Sequence, residues 1–149
     1  MSAFAAMMAG PAASGLAIHS SAEHLMLHHI SFAVTDLARS IAFYDAVMAP
    51  LGFRRVWSHD SGAGYGIEDD NESFAIKQRE LVQISPSGFH LAFAAPTQDA
   101  VVAFHAAALA QGGSDKGAPG LRPDYGDAYF AAFVLDPDGY WIEAVINGR

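Results

Sequence analysis

Of the seven histidines (His19, His24, His28, His29, His59, His90 and His105), two stand at equivalent places in a repeated pattern. His29 opens the segment HISFAV and His90 opens HLAFAA, 61 positions later, and that offset holds without a gap for 24 residues. His29/His90, Phe32/Phe93, Ala33/Ala94, Phe43/Phe104 and Gly52/Gly113 are among the identical pairs, and the chain reads as a duplicated unit. A lone histidine on a strand is usually packed or hydrogen-bonded, but two at one repeat position converge if a pseudo-twofold axis relates the copies. Glu143 is the third candidate, a carboxylate on the otherwise apolar stretch YWIEAV, where it is costly unless it is paired or bound to a metal. Its plain alternative is an edge position facing water. Two imidazoles and one carboxylate on rigid strands would form a site for one divalent metal, with positions left open for water and substrate. Fe, Mn, Zn, Co and Ni all suit such a donor set.

The elements that must position these residues follow from periodicity. Residues 26–34 and 88–95 alternate as strands, with Ile30, Phe32 and Val34 on the bulky face of the first. Each His, with the small residues beside it, lies on the opposite face, and His28 points away from His29. A helix follows each strand, capped by Thr35 or Asp36 in the first copy and by Thr97 in the second. The expected apolar faces are Leu37, Ile41, Tyr44 and Met48, then Val101, Val102, Phe104 and Leu109, with Gly52 and Gly113 at the helix ends. Short strands complete the copies at 53–58, 63–67 and 73–78, then at 114–121, 128–135 and 140–146, the last two joined by the turn Asp136 to Gly139. The fold class expected is α+β: two βαβββ modules, about 26–84 and 85–149, forming a cupped mixed sheet with helices outside.

Composition bounds what this domain does. The chain has 149 residues, enough for one core, and is 52% hydrophobic. Its net charge is −8 with 8 Lys and Arg and no basic stripe, which argues against nucleic acid as a partner. No apolar run reaches the roughly 20 residues a membrane helix needs. With no cysteine, any metal must take nitrogen and oxygen ligands. Residues 1–25 contain no Lys or Arg and lack the basic start of a secretory signal, so they read as a loosely ordered extension of a cytoplasmic protein.

The segment HISFAVTDLARSIAFY (residues 29–44) resembles the opening of the vicinal oxygen chelate superfamily, which comprises glyoxalase, bleomycin-resistance and extradiol dioxygenase proteins. LDPDGYWIE (135–143) is similar to its closing motif, whose Glu is a metal ligand, and GFHLAF (88–93) to the strand opening its second module. The likeness covers roughly 26–147. It implies paired βαβββ modules, a metal in the cup held by His29, His90 and Glu143, and substrates that chelate it through adjacent oxygens. Glyoxalase I enzymes carry a further Glu on the last strand of module one. Laying 74–77 over 141–144 puts Ile76 opposite Glu143, and Gln78 is only a weak substitute. That departure moves the resemblance toward three-ligand members, which are thiol or water transferases acting on epoxides and extradiol dioxygenases. The dioxygenases usually carry more modules than this chain has. A homodimer is implied by the resemblance and favoured by exposed sheet edges.

Between the second helix and the final hairpin, Arg122 can hold an anionic substrate group, and Tyr125 or Tyr129 can donate a proton or a hydrogen bond to an oxygen bound at the metal. The plain alternative is that all three are ordinary loop residues. Trp57, Tyr65 and Phe74 either shape a pocket or pack the core, and Arg54 and Arg55 read as surface residues. The function expected is a small metal-dependent enzyme working by lyase, isomerase, transferase or ring-cleavage chemistry on a small-molecule substrate. The competing reading is a metal-free, ligand-sequestering protein of the bleomycin-resistance type, using the cup purely as a pocket.

Overall fold

The computed structural model describes residues 26–148, so the expectation for residues 1–25, with His19 and His24, lies outside the described residues. Two βαβββ modules follow one another. The first runs β1 (Ile30–Val34), α1 (Leu37–Met48), β2 (Arg54–His59), β3 (Gly62–Glu68) and β4 (Asn71–Gln78). The second runs β5 (Leu91–Ala94), α2 (Gln98–Ala110), β6 (Ser114–Leu121), β7 (Tyr129–Leu135) and β8 (Trp141–Asn147). Each module makes its own four-stranded mixed sheet, ordered β1-β4-β3-β2 and β5-β8-β7-β6. In both, the opening strand pairs in parallel with the closing one and the rest is antiparallel.

Strand alternation explains the layering. Phe32 and Val34 of β1, and Ile142 and Ala144 of β8, turn inward to one continuous core that also takes Phe43, Tyr44 and Val47 of α1 and Val101 and Phe104 of α2. Each such large apolar side chain contributes about 1.5–3 kcal/mol through burial. The helices touch each other, and Phe32 stacks on Tyr140 at a centroid distance of 4.0 Å. The modules therefore meet helix to helix and through aromatic contact, and the second face of each sheet points away from the shared core. Among the described residues, no helix is long and apolar enough to cross a membrane.

Asp36 and Thr97 cap α1 and α2, each accepting the backbone N–H three residues on at 3.0 Å. Val102 and Leu109 prove exposed, because Ala100, Val101, Phe104 and Ala108 form the inner face of α2. Gly52 takes the left-handed conformation after α1 at φ 88°, but after α2 that role falls to Gly112 at φ 89°. Gly113 serves close approach instead: a Cβ there would lie 2.8 Å from the carbonyl oxygens of both Ala108 and Leu135.

Candidate active site

The second sheet carries the most developed polar cluster. Glu143 sits mid-strand on β8, opposite Phe133 of β7 and beside Ala92 of β5, on the face away from α2. Its side chain is 1% exposed. A carboxylate so deeply desolvated needs partners for both oxygens. One oxygen lies 3.1 Å from His90 Nε2, and the other accepts the Tyr129 hydroxyl at 2.6 Å. Burial, and then the bond to Glu143, push the Tyr129 phenol up to about 12, so at neutral pH it remains a donor. His90 immediately precedes β5 and is half exposed, so one side of the His90–Glu143 pair stays open. That opening is a cavity of about 510 Å³ lined by His90, Asp124, Tyr125, Tyr129, Phe133 and Glu143.

His29 is not with them. It immediately precedes β1, on the first sheet, exposed, with its Nδ1 2.9 Å from that of its neighbour His28. Among the described residues, no group of three or more His, Cys, Asp or Glu side chains could hold a metal ion. The structure thus brings together His90 and Glu143 with Tyr129, and leaves His29 on the other module. The donor set of the second module fits a divalent metal as far as it goes: an imidazole nitrogen and a carboxylate oxygen aimed at one cavity, the carboxylate oriented by a phenol.

The ladder register also corrects the comparison of the two closing strands. Ala92 pairs with Glu143, and its repeat partner Ser31 pairs with Ala75, so Ala75 is the counterpart of Glu143. Ile76 is fully buried in the core, one residue out of step. Gln78 is no substitute, for its amide closes the β1–α1 connection by accepting from the Leu37 N–H at 2.7 Å and donating to the Thr35 carbonyl at 2.6 Å. The first module nevertheless bears a carboxylate on its uncovered face. A register shift at Ser73 sets Glu72 opposite Gly66, where it accepts the Trp57 indole N–H at 2.9 Å. The indole crosses Gly64, at which a Cβ would come 2.2 Å from its nitrogen. Glu72 is held below the usual carboxylate range, chiefly by its own backbone N–H and then by Trp57, with smaller effects from His29 and His28.

The sequence profile of the Glyoxalase/Bleomycin resistance protein/Dioxygenase superfamily matches residues 26–144. The chain belongs to this superfamily. Among solved structures it is similar to a glyoxalase/bleomycin resistance protein from Albidiferax ferrireducens T118, at 32% identity and a TM-score of 0.70, covering 81% of this chain and 98% of that one. It also shares its fold with glyoxalase I from Zea mays (23% identity, TM-score 0.61, 79% of this chain and 44% of that one). FosX, the fosfomycin resistance protein from Listeria monocytogenes, is a third such structure (19% identity, TM-score 0.61, 81% and 92%). No match is found among curated proteins.

Within this superfamily fold, the remaining expected residues fall as follows. Tyr125 is 65% exposed, and its ring lies 5.3 Å from that of Tyr129, at the mouth of the His90–Glu143 cavity. Arg122 lies further along the same face, its guanidinium 5.7 Å from the Phe133 centroid. Tyr65 and Phe74 are core residues, whereas Trp57 lies on the uncovered face and stacks on His59. Arg54 and Arg55 are surface residues in ion pairs with Asp69 and Asp45. Glu72 and Lys116 escaped the sequence reading. Gly64 and Gly66, small residues bare on one side, were the available signal for Glu72.

Proposed function

We propose that this chain is a cytoplasmic, metal-dependent enzyme acting on a small substrate that presents two adjacent oxygens. The observation that carries the reading is Glu143: a buried carboxylate, held by a histidine and a tyrosine at the floor of an open cavity. His90 and Glu143 would hold the metal, and His29 would be supplied by a second copy of the chain. Supporting this, His29 lies on the first module and the His90–Glu143 pair on the second, whose sheet is separate, so a second copy could supply the histidine that each half-site lacks. A chain without cysteine requires no oxidising compartment.

The bound metal would act as a Lewis acid, stabilising negative charge that develops on the substrate. Tyr129 fixes one oxygen of Glu143 and leaves the other for the metal. Its proton stays on the phenol, so it orients and donates rather than acting as a base. Tyr125, at the cavity mouth, is placed to donate to a substrate oxygen or to cover it from water. Whether the turnover is isomerase, lyase, transferase or ring cleavage follows from which substrates react.

The test is metal content and turnover. Protein purified without chelator is expected to carry a divalent metal that Glu143→Gln and His90→Ala lose, and to turn over a glutathione hemithioacetal, an epoxide with a thiol, or a catechol under Fe(II). Metal-free protein that binds an aromatic drug stoichiometrically, unaffected by either substitution, would replace this reading with sequestration.

A further inference from the structure

Beside the His90–Glu143 cavity lies a second one of about 520 Å³, lined by Gly88, Phe89, Lys116, Arg122, Trp141 and, shared with the first, His90, Tyr125 and Phe133. The two form one cleft with opposite ends. Glu143 and Asp124 make the first end acidic, and Lys116 and Arg122 make the second basic. In a chain of net charge −8, two cations at one cavity are uncommon company. Among the described residues Arg39, Arg54 and Arg55 are held in ion pairs, whereas Lys77, Arg79, Lys116 and Arg122 make none, and of these four only Lys116 and Arg122 line this cavity.

The position of Arg122 is built rather than incidental. Its Nη2 donates to the Ala118 carbonyl at 2.6 Å, and the guanidinium lies against Phe133. Two glycines clear the ground beneath it: a Cβ at Gly117 would come 3.2 Å from Nη2, and one at Gly120 3.2 Å from Nη1. The middle of the cleft is aromatic. The Phe133 ring lies directly across the ladder from Glu143, with the His90 ring 6.1 Å and the Trp141 ring 6.4 Å from its centroid. His90 and the Arg122 guanidinium thus both lie about one benzene ring's width from the same phenylalanine.

We infer that the substrate is a planar, aromatic anion: its adjacent oxygens at His90 and Glu143, its ring over Phe133, and a carboxylate or similar group on Arg122 and Lys116. This rests on the metal reading for the oxygen end alone. Arg122 suits a planar oxyanion through paired N–H donors, and Lys116 adds a point charge. Tyr125 and Trp141, 65% and 43% exposed, are the walls available to close over the ring.

Calorimetric binding of three probes tests this on the full chain, with Mn(II) under nitrogen and again after metal removal. The probes are 3,4-dihydroxybenzoate, 4-methylcatechol (no anion) and 4-methylbenzoate (no adjacent oxygens). The Mn(II) protein is expected to prefer 3,4-dihydroxybenzoate over 4-methylcatechol by about tenfold or more, the worth of one charge-assisted contact. Arg122→Gln and Lys116→Gln should each erode that preference, and Arg122→Lys should restore part of it, with unchanged circular dichroism showing that the variants fold. Equal affinity for 3,4-dihydroxybenzoate and 4-methylcatechol, or a preference untouched by both substitutions, overturns the inference. So does failure of all three probes to bind. Binding of 4-methylbenzoate that needs Arg122 but is indifferent to metal leaves the anion end standing and removes the metal reading instead.

Discussion

Tyr129 is the residue on which the polar cluster turns. Its hydroxyl satisfies one oxygen of a carboxylate that is almost wholly out of water, and without it Glu143 is held only by His90. Tyr129→Phe should therefore lower divalent-metal affinity about 10- to 100-fold, as loss of a ligand's orienting partner does, and should also cost about 1–3 kcal/mol of stability by leaving one buried carboxylate oxygen without a donor. Competition against a chelator of known affinity measures it. Because the phenol is pushed up to about 12, ultraviolet titration should show no Tyr129 ionisation below pH 10, as the difference between wild type and Tyr129→Phe. At this scale the sequence was legible where a repeat or a motif marked the residue, as at His90 and Glu143. Tyr129 was legible as a candidate donor, though its bond to Glu143 was not. Ile76 was misplaced by one residue because strand faces alternate with period 2, so a single-residue slip exchanges the core for the open face. Glu72 was hidden for the same reason: the register shift at Ser73 changes its face, and only the glycines opposite it hint at the change.

Among the elements, the turn between β7 and β8 does more than reverse the chain. Gly139 at φ 99° allows the hairpin, and Asp136 and Asp138 reach across to the first module. Asp138 accepts from the Thr35 hydroxyl and pairs with Arg39 at 3.0 Å. The buried Asp136 accepts the Tyr44 hydroxyl at 2.6 Å and the backbone N–H groups of Asp138 and Tyr140. Tyr44→Phe leaves that carboxylate short of a donor and should cost about 1–3 kcal/mol in urea denaturation. Burial outweighs these hydrogen bonds and raises the Asp136 carboxyl above its ordinary value. A raised folded value means that its stabilising contribution is full below the ordinary carboxylate range and is lost as pH rises through the raised one. Asp136→Asn removes that loss, so its stability relative to wild type should improve as pH rises above the ordinary carboxylate range, followed by denaturation at each pH. The sequence announced this turn, because Asp-Pro-Asp-Gly has one strong reading, but not what its carboxylates would hold. The end of α2 was off by one residue for a related reason: with two glycines in succession, only tertiary contact decides which takes the left-handed position and which the close approach.

For the whole molecule, the duplicated α+β architecture was readable from periodicity, since each strand and helix buries a face its own pattern declares. How the two copies pack was not. A repeat at one offset says that His29 and His90 are equivalent, and equivalence alone does not make them meet. Within the chain the modules join through α1 and α2, and each keeps its own four-stranded sheet. A homodimer in solution is therefore expected by sedimentation, isologous, with two metal sites each drawing His29 from one chain and His90 with Glu143 from the other. Mixing two inactive variants tests this most directly. His29→Ala and Glu143→Gln homodimers should each fail to hold metal, since every site lacks a ligand. Unfolded and refolded together in equal amounts, half of the dimers are mixed, and each mixed dimer regains one intact site of two. Tight metal binding should then return to about a quarter of the wild-type stoichiometry. No recovery in a mixture shown to contain mixed dimers, or full binding by the His29→Ala homodimer alone, would contradict a metal centre shared between two copies.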